Sequence, residues 1–256
     1  MQYVAPYSLI GDSNLALHFH ADHLADLRAS GLTDETIRAA GVYSMSPSDF
    51  LEFFSGHSKL GKELRATVET ALAFPYQEHA FARIKLFPAL GKMKYAQPQG
   101  TTARLYIPFP FNDGPLYVVE GEKKTLAACQ IKFNAVGIGG IWAWMSKATR
   151  EPIDDLNLIR WDGREVTIIP DSDVFQRADL LRAIYALGRE LRGQGAEVLV
   201  ARIPETDDSK VGLDDFVVAG GKVNRLEVFS LGHRIFKGCE YWHGQWKFKR
   251  ALREAA

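Results

Sequence analysis

Between residues 115 and 203 the chain alternates short apolar runs with helical segments, and this pattern constrains the fold more than any other feature. The runs Leu116-Tyr-Val-Val, Ala135-Val-Gly-Ile, Val166-Thr-Ile-Ile and residues 197–203 are largely continuous in apolar character rather than alternating. An alternating strand can leave one face in water, whereas a continuously apolar one must be covered on both faces. That is the signature of a parallel sheet flanked by helices. Residues 123–131 and 176–192 are predicted to be the covering helices. The second carries Leu180, Leu181, Ile184, Leu187 and Leu191 on one face.

Two of these runs end in carboxylates. Leu116-Tyr-Val-Val is followed by Glu120-Gly-Glu122, and Val166-Thr-Ile-Ile by Pro-Asp171-Ser-Asp173. In an open parallel sheet, ligands bind in the crevice beyond the carboxyl ends of the strands. Carboxylates converging there need a cation between them, and hard oxygen ligands suit Mg²⁺, which is commonly shared with substrate phosphates. Either cluster alone is more readily explained as a turn or a helix cap, since acidic residues after strands commonly serve as both. The two in one alternating unit point instead to metal-assisted phosphate chemistry, with Glu120, Asp171 and Asp173 as the catalytic and metal-binding candidates.

The rest of the chain is organised around this unit. Residues 1–70 predict a helical region: a helix ending at Gly31, a second capped by Thr33 and stopped at Gly41, and a third from Phe50 to about Ser55 with Phe50, Leu51, Phe53 and Phe54 buried. Residues 71–111 predict antiparallel strands rich in aromatic and basic residues. Period-two spacing places Arg83 with Lys85, and Lys92 with Lys94, on one face of their strands. Together with Arg104 they form a candidate surface for nucleic acid or nucleotide, as basic side chains hold phosphates and neighbouring aromatics stack on bases. An ordinary exposed sheet face would show the same alternation. The α/β unit occupies 112–222, and residues 223–256 form an aromatic, basic extension, either a hairpin and helix or a charged arm.

Composition bounds the partners. The formal net charge is zero, so any polyanion surface must be local. The two cysteines, Cys129 and Cys239, cannot form a four-cysteine zinc site and fit a reducing, cytoplasmic compartment. No apolar run approaches the ~20 residues that span a bilayer, so no membrane partner is expected. Lys123 at a helix start is a candidate phosphate contact, whereas Lys124 reads as a solvated residue. His18, His20 and His23 read as surface or capping residues, and Trp142 and Trp144 as packing residues. Glu120-Gly-Glu-Lys-Lys-Thr125 lacks the glycines of a Walker loop.

Val118-Val-Glu120-Gly-Glu122 followed by Ile168-Ile-Pro-Asp171-Ser-Asp173 resembles the TOPRIM domain, the Mg²⁺-binding module of bacterial primases, topoisomerases and some nucleases. The resemblance implies an α/β fold with a mostly parallel, Rossmann-like sheet, Glu120 as the acid/base and Asp171 and Asp173 as metal ligands. Lys210-Val-Gly-Leu-Asp214-Asp215-Phe resembles the late acidic motif of primases and adds Asp214 and Asp215 as candidate ligands. Val174 and Phe175 stand where TOPRIM domains often carry glycine.

Leu27-Arg-Ala-Ser-Gly-Leu-Thr, Lys94-Tyr-Ala-Gln-Pro, Glu120-Gly-Glu-Lys-Lys-Thr, Val136-Gly-Ile-Gly-Gly-Ile-Trp142 and Val211-Gly-Leu-Asp-Asp-Phe, in that order, resemble a primase-related group carried by phages, plasmids and other mobile elements. The resemblance implies a TOPRIM core with an N-terminal helical and strand region and a role in DNA replication or mobile-element maintenance. The favoured reading of the activity is Mg²⁺-dependent nucleotidyl transfer on DNA, primase-like, with Mn²⁺ able to substitute, and the two cysteines lead to no expectation of zinc. Single-stranded DNA or primer-template, nucleoside triphosphates, and a helicase or polymerase are the implied partners. A TOPRIM nuclease and a non-catalytic nucleic-acid-binding module are the alternatives.

Overall fold

The computed structural model describes residues 15–53, 67–76, 79, 81–205 and 210–244. Phe54 and the basic residues of 247–253 lie outside them. The chain divides into two compact units, one drawing on residues 1–102 and 107–109, the other on 103–106 and 110–256.

In the first unit, α1 (Ala21–Ala29) is capped by the His20 side chain, which accepts the Asp22 N–H. Gly31, at φ +70°, turns the chain out of it. Helix α2 (Asp34–Ala39) begins at Thr33, whose hydroxyl accepts the Thr36 N–H, and is followed by Gly41 at φ +66°. Helix α3 runs Pro47–Phe53. Its Phe50 is buried while the adjacent Leu51, expected inside, is half exposed, because neighbouring helix positions point about 100° apart.

Strands β1 (Tyr43–Ser44), β2 (Thr70–Tyr76), β3 (Phe81–Leu90) and β4 (Met93–Ala96) form an antiparallel sheet in that order. Residues alternate along β3, so Ala82, Ile84 and Leu86 join Tyr43, Phe50, Ala71 and Ala73 in the core while Arg83 and Lys85 share the other face. His23 is fully buried rather than at the surface. Its ring nitrogens lie 2.8 Å from Ser44 Oγ and 2.9 Å from Thr70 Oγ1, and its ring packs on Phe87.

Among the described residues, the second unit holds a six-stranded mixed sheet. Its members are β5 (Leu105–Tyr106), β6 (Leu116–Glu120), β7 (Ala135–Ile138), β8 (Glu165–Ile169), β9 (Glu197–Arg202) and β10 (Glu227–Ser230), in the order β10-β9-β8-β6-β7-β5. The four central strands pair in parallel, and β5 and β10 pair antiparallel at the edges. The expectation of a mostly parallel sheet is therefore refined to a mixed one. Leu105 and Tyr106, grouped by sequence with the antiparallel strands of residues 71–111, instead pair with Ile138 and Gly137.

Helices α4 (Glu122–Gln130), α5 (Ala178–Gly193) and α6 (Leu213–Val218) accompany the sheet. Ile184, Leu187 and Leu191 of α5 are buried as periodicity predicts, and Trp144 is fully buried. Val119, Ile169, Ala201, Val211 and Leu213 meet in one apolar cluster. Strand β6 sits between β7 and β8, so the chain leaves it in one direction and returns on its other side. Such a reversal of strand order opens a crevice at the strands' carboxyl ends.

Candidate functional site

Parallel register sets the site. Val118 pairs with Ile168 and Val119 with Ile169, so Glu120 and Asp171 leave the same end of adjacent strands. Gly121 turns the chain at φ +98°, donating its N–H to the Ile138 carbonyl at 2.8 Å. Its own carbonyl accepts the Thr125 N–H at 3.1 Å and the Thr125 hydroxyl at 2.7 Å. Helix α4 thus starts immediately beneath Glu120. It packs so closely on β7 that a Cβ on Gly137 would overlap Thr125 Oγ1 and approach Tyr106 Cβ to 3.2 Å.

After β8, Asp171 leads into a 3-10 turn, Ser172–Phe175. Ser172 is buried and clips this turn to a second loop. Its N–H donates to the Val211 carbonyl at 3.0 Å and its Oγ accepts the Val211 N–H at 2.9 Å. The clip carries Lys210 onto the carboxylates. Lys210 Nζ lies 2.7 Å from Asp171 Oδ2 and 3.5 Å from Asp173 Oδ1. From the other side, Lys124 Nζ lies 2.6 Å from Asp171 Oδ1 and 2.8 Å from Oδ2. Lys124 reaches this point by crossing Gly212, where a Cβ would sit 2.5 Å from Lys124 Cε.

Burial dominates the electrostatics. Asp171 is 2% exposed. Glu120 is pushed above its usual carboxylate pKa first by burial and then by the charge of Asp171. Lys124, Lys210 and a hydrogen bond from the Asp171 backbone oppose the shift. Burial pulls the Lys210 ammonium down, but its hydrogen bond to Asp171 and the charges of Asp171, Glu120 and Asp173 leave its pKa raised. Arg177 adds a further cation 3.8 Å from Asp173.

The other predicted site residues are distributed as follows. Asp215 is exposed, and its carboxylate accepts the Gly212 N–H at 3.0 Å, capping α6. Asp214 is buried beside Gly212. Glu122 turns inward, where its charge raises the pKa of buried Tyr106 after the larger effect of burial. Lys123 is half buried on α4. Arg104 donates to Asp155 Oδ1 at 2.8 Å while Asp155 Oδ2 accepts the Leu105 N–H, which ties down the β5 edge.

In the first unit, Arg83 covers the Tyr95 ring and Lys85 pairs with Asp26 at 2.5 Å. Lys94 is exposed on β4, and Lys92 is exposed in the preceding turn rather than in the strand.

Sequence reasoning missed Lys124, Lys210 and the Ser172 clip. For Lys124 a signal existed: it stands four residues after Glu120 and three into the helix that Gly121 starts, placing it over the strand end.

Among the described residues no three His, Cys, Asp or Glu side chains are gathered as a metal site. The donor chemistry nevertheless fits Mg²⁺. Glu120, Asp171 and Asp173 supply hard oxygens, and Asp171 Oδ1 and Asp173 Oδ1 are buried with ion-pair but no hydrogen-bond geometry.

Fold and site together define a mixed α/β protein with a carboxylate–lysine cluster at a strand-order reversal. A family model described as a domain of unknown function, DUF3854, matches residues 111–224. A comparison with the curated proteins finds no match. Among solved structures, the chain is similar to the Aquifex aeolicus primase (zinc binding and RNA polymerase domains), with a TM-score of 0.57 and 13% identity over 82% of this chain. It spans 57% of that chain's length. It is also similar to the DnaG catalytic core, with a TM-score of 0.52 and 17% identity over 85% of this chain and 76% of the other. At such identities the likeness is one of fold.

Proposed function

We propose that the second unit is a TOPRIM-type domain and that the protein carries out Mg²⁺-dependent nucleotidyl transfer on DNA, primase-like, in the replication of a mobile element. The observation that carries this reading is the convergence of Glu120 and Asp171, with Asp173, at the carboxyl ends of adjacent parallel strands. The fold likeness to primase cores supports it.

Asp171 and Asp173 would hold the metal, with Glu120 as a further ligand or as the acid/base. When bound, the metal would neutralise charge on transferring phosphate oxygens. The raised pKa of Glu120 suits a group that accepts and returns a proton. Exposed Lys92 and Lys94 would supply sequence-independent contacts to phosphates.

The test is primer synthesis on single-stranded DNA with Mg²⁺ and nucleoside triphosphates. Product from the wild type and its loss in Asp171→Ala are expected. Absence of product from the wild type, or undiminished product from the variant, would sink the reading. Following the labelled template in the same reactions separates synthesis from cleavage.

A further inference from the structure

We infer that Lys124 and Lys210 are resident counter-cations of the carboxylate cluster, which a divalent ion must displace, so that these lysines set how much of the ion the site requires. The inference rests on the reading of Glu120, Asp171 and Asp173 as a cation site.

Three features carry it. First, both ammonium groups sit within 2.6–2.8 Å of the same buried carboxylate, Asp171, and Lys210 also reaches Asp173. A buried carboxylate needs a cation beside it, and here side chains provide two. Second, each lysine is brought in by its own device. Glycine at 212 leaves the path that Lys124 occupies, and the paired Ser172–Val211 hydrogen bonds present Lys210. Third, the charges leave little room for addition. Glu120, Asp171 and Asp173 face two ammoniums, and the Arg177 guanidinium stands beside Asp173, so a divalent ion entering without displacing a cation would leave the cluster with net positive charge. Entry is therefore exchange. Lys210, 51% exposed, can swing into solvent, while Lys124, 22% exposed, is the more firmly held.

The experiment is Mn²⁺ binding, read from the free-ion paramagnetic resonance signal, in wild type, Lys210→Gln and Lys124→Gln. Each glutamine removes one charge, the first at a half-exposed position and the second where the ammonium is more firmly held. Binding roughly tenfold tighter than wild type in Lys210→Gln, and tighter in Lys124→Gln, is expected, since a neighbouring unit charge is worth more than a tenfold change even in a moderately polar site. Amine labelling of the wild type followed by mass spectrometry should show Lys210 becoming more reactive as Mn²⁺ saturates. Mn²⁺ binding that is no tighter in Lys210→Gln, or lysine labelling indifferent to the ion, overturns the inference while leaving the metal site standing. No Mn²⁺ binding by any form removes the metal site itself, and the inference with it.

Discussion

Lys124 and Asp171 form a two-point contact, Nζ lying 2.6 Å from one carboxylate oxygen and 2.8 Å from the other, across the gap between the first turn of α4 and the end of β8. The contact joins two crossovers of the sheet through one buried anion. Asp171→Asn keeps the shape but removes the charge that holds both lysines. We expect it to lower stability by about 1–3 kcal/mol, less than for a fully enclosed pair because the lysines can turn toward solvent. Urea unfolding measures this. Lys210→Ala, at a half-exposed position, should cost no more than about 1 kcal/mol.

Ser172→Ala removes the acceptor of the Val211 N–H within a buried loop contact. The expected loss is about 1–2 kcal/mol. Hydrogen exchange should quicken at the Val211 amide before it does in β6 or β8. Unchanged protection there would mean that the loop is held by other contacts.

His23 makes the first unit sensitive to acid. Its pKa is lowered from 6.5 to about 4, first by burial and then by the neighbouring charge of His20. Below pH 6.5 the unfolded chain binds a proton that the folded chain refuses until about pH 4. This contribution is therefore fully present above pH 6.5 and is lost as pH falls through that window, by at most ~3 kcal/mol. His23→Gln should flatten the dependence of unfolding free energy on pH between 7 and 5. A slope equal to that of the wild type would assign the effect to other groups.

The basic residues should separate into two kinds. Lys94→Ala, at an exposed position, should weaken single-stranded DNA binding and reduce the salt slope by roughly one phosphate contact. Arg104→Ala should leave the salt slope unchanged and lower the melting temperature, because it strips a partner from buried Asp155. Fluorescence anisotropy across a salt series distinguishes them.

Sequence periodicity and capping made much of this fold legible. The continuous runs before Glu120 and Asp171 become β6 and β8, and Thr33 and Gly41 bound α2. What escaped depends on distant partners. The dipeptide Leu105-Tyr106 carries no mark of which sheet will accept it, and its place is settled by Asp155 and by β7. The edge strand β10 is short and its Val228 is exposed, so its apolar pattern is weak. The two lysines escaped because long side chains on a helix and a loop read as solvated until a buried anion is known to lie within reach.

The meeting of Thr125 with Gly137 has an evolutionary consequence. The hydroxyl of one residue fills the space that a side chain on the other would need. In relatives that keep this packing, positions 125 and 137 should covary in size, with any enlargement at 137 matched by a smaller residue at 125. A lineage that broke the match would have to lift the first turn of α4, carrying Lys124 away from Asp171 along with it.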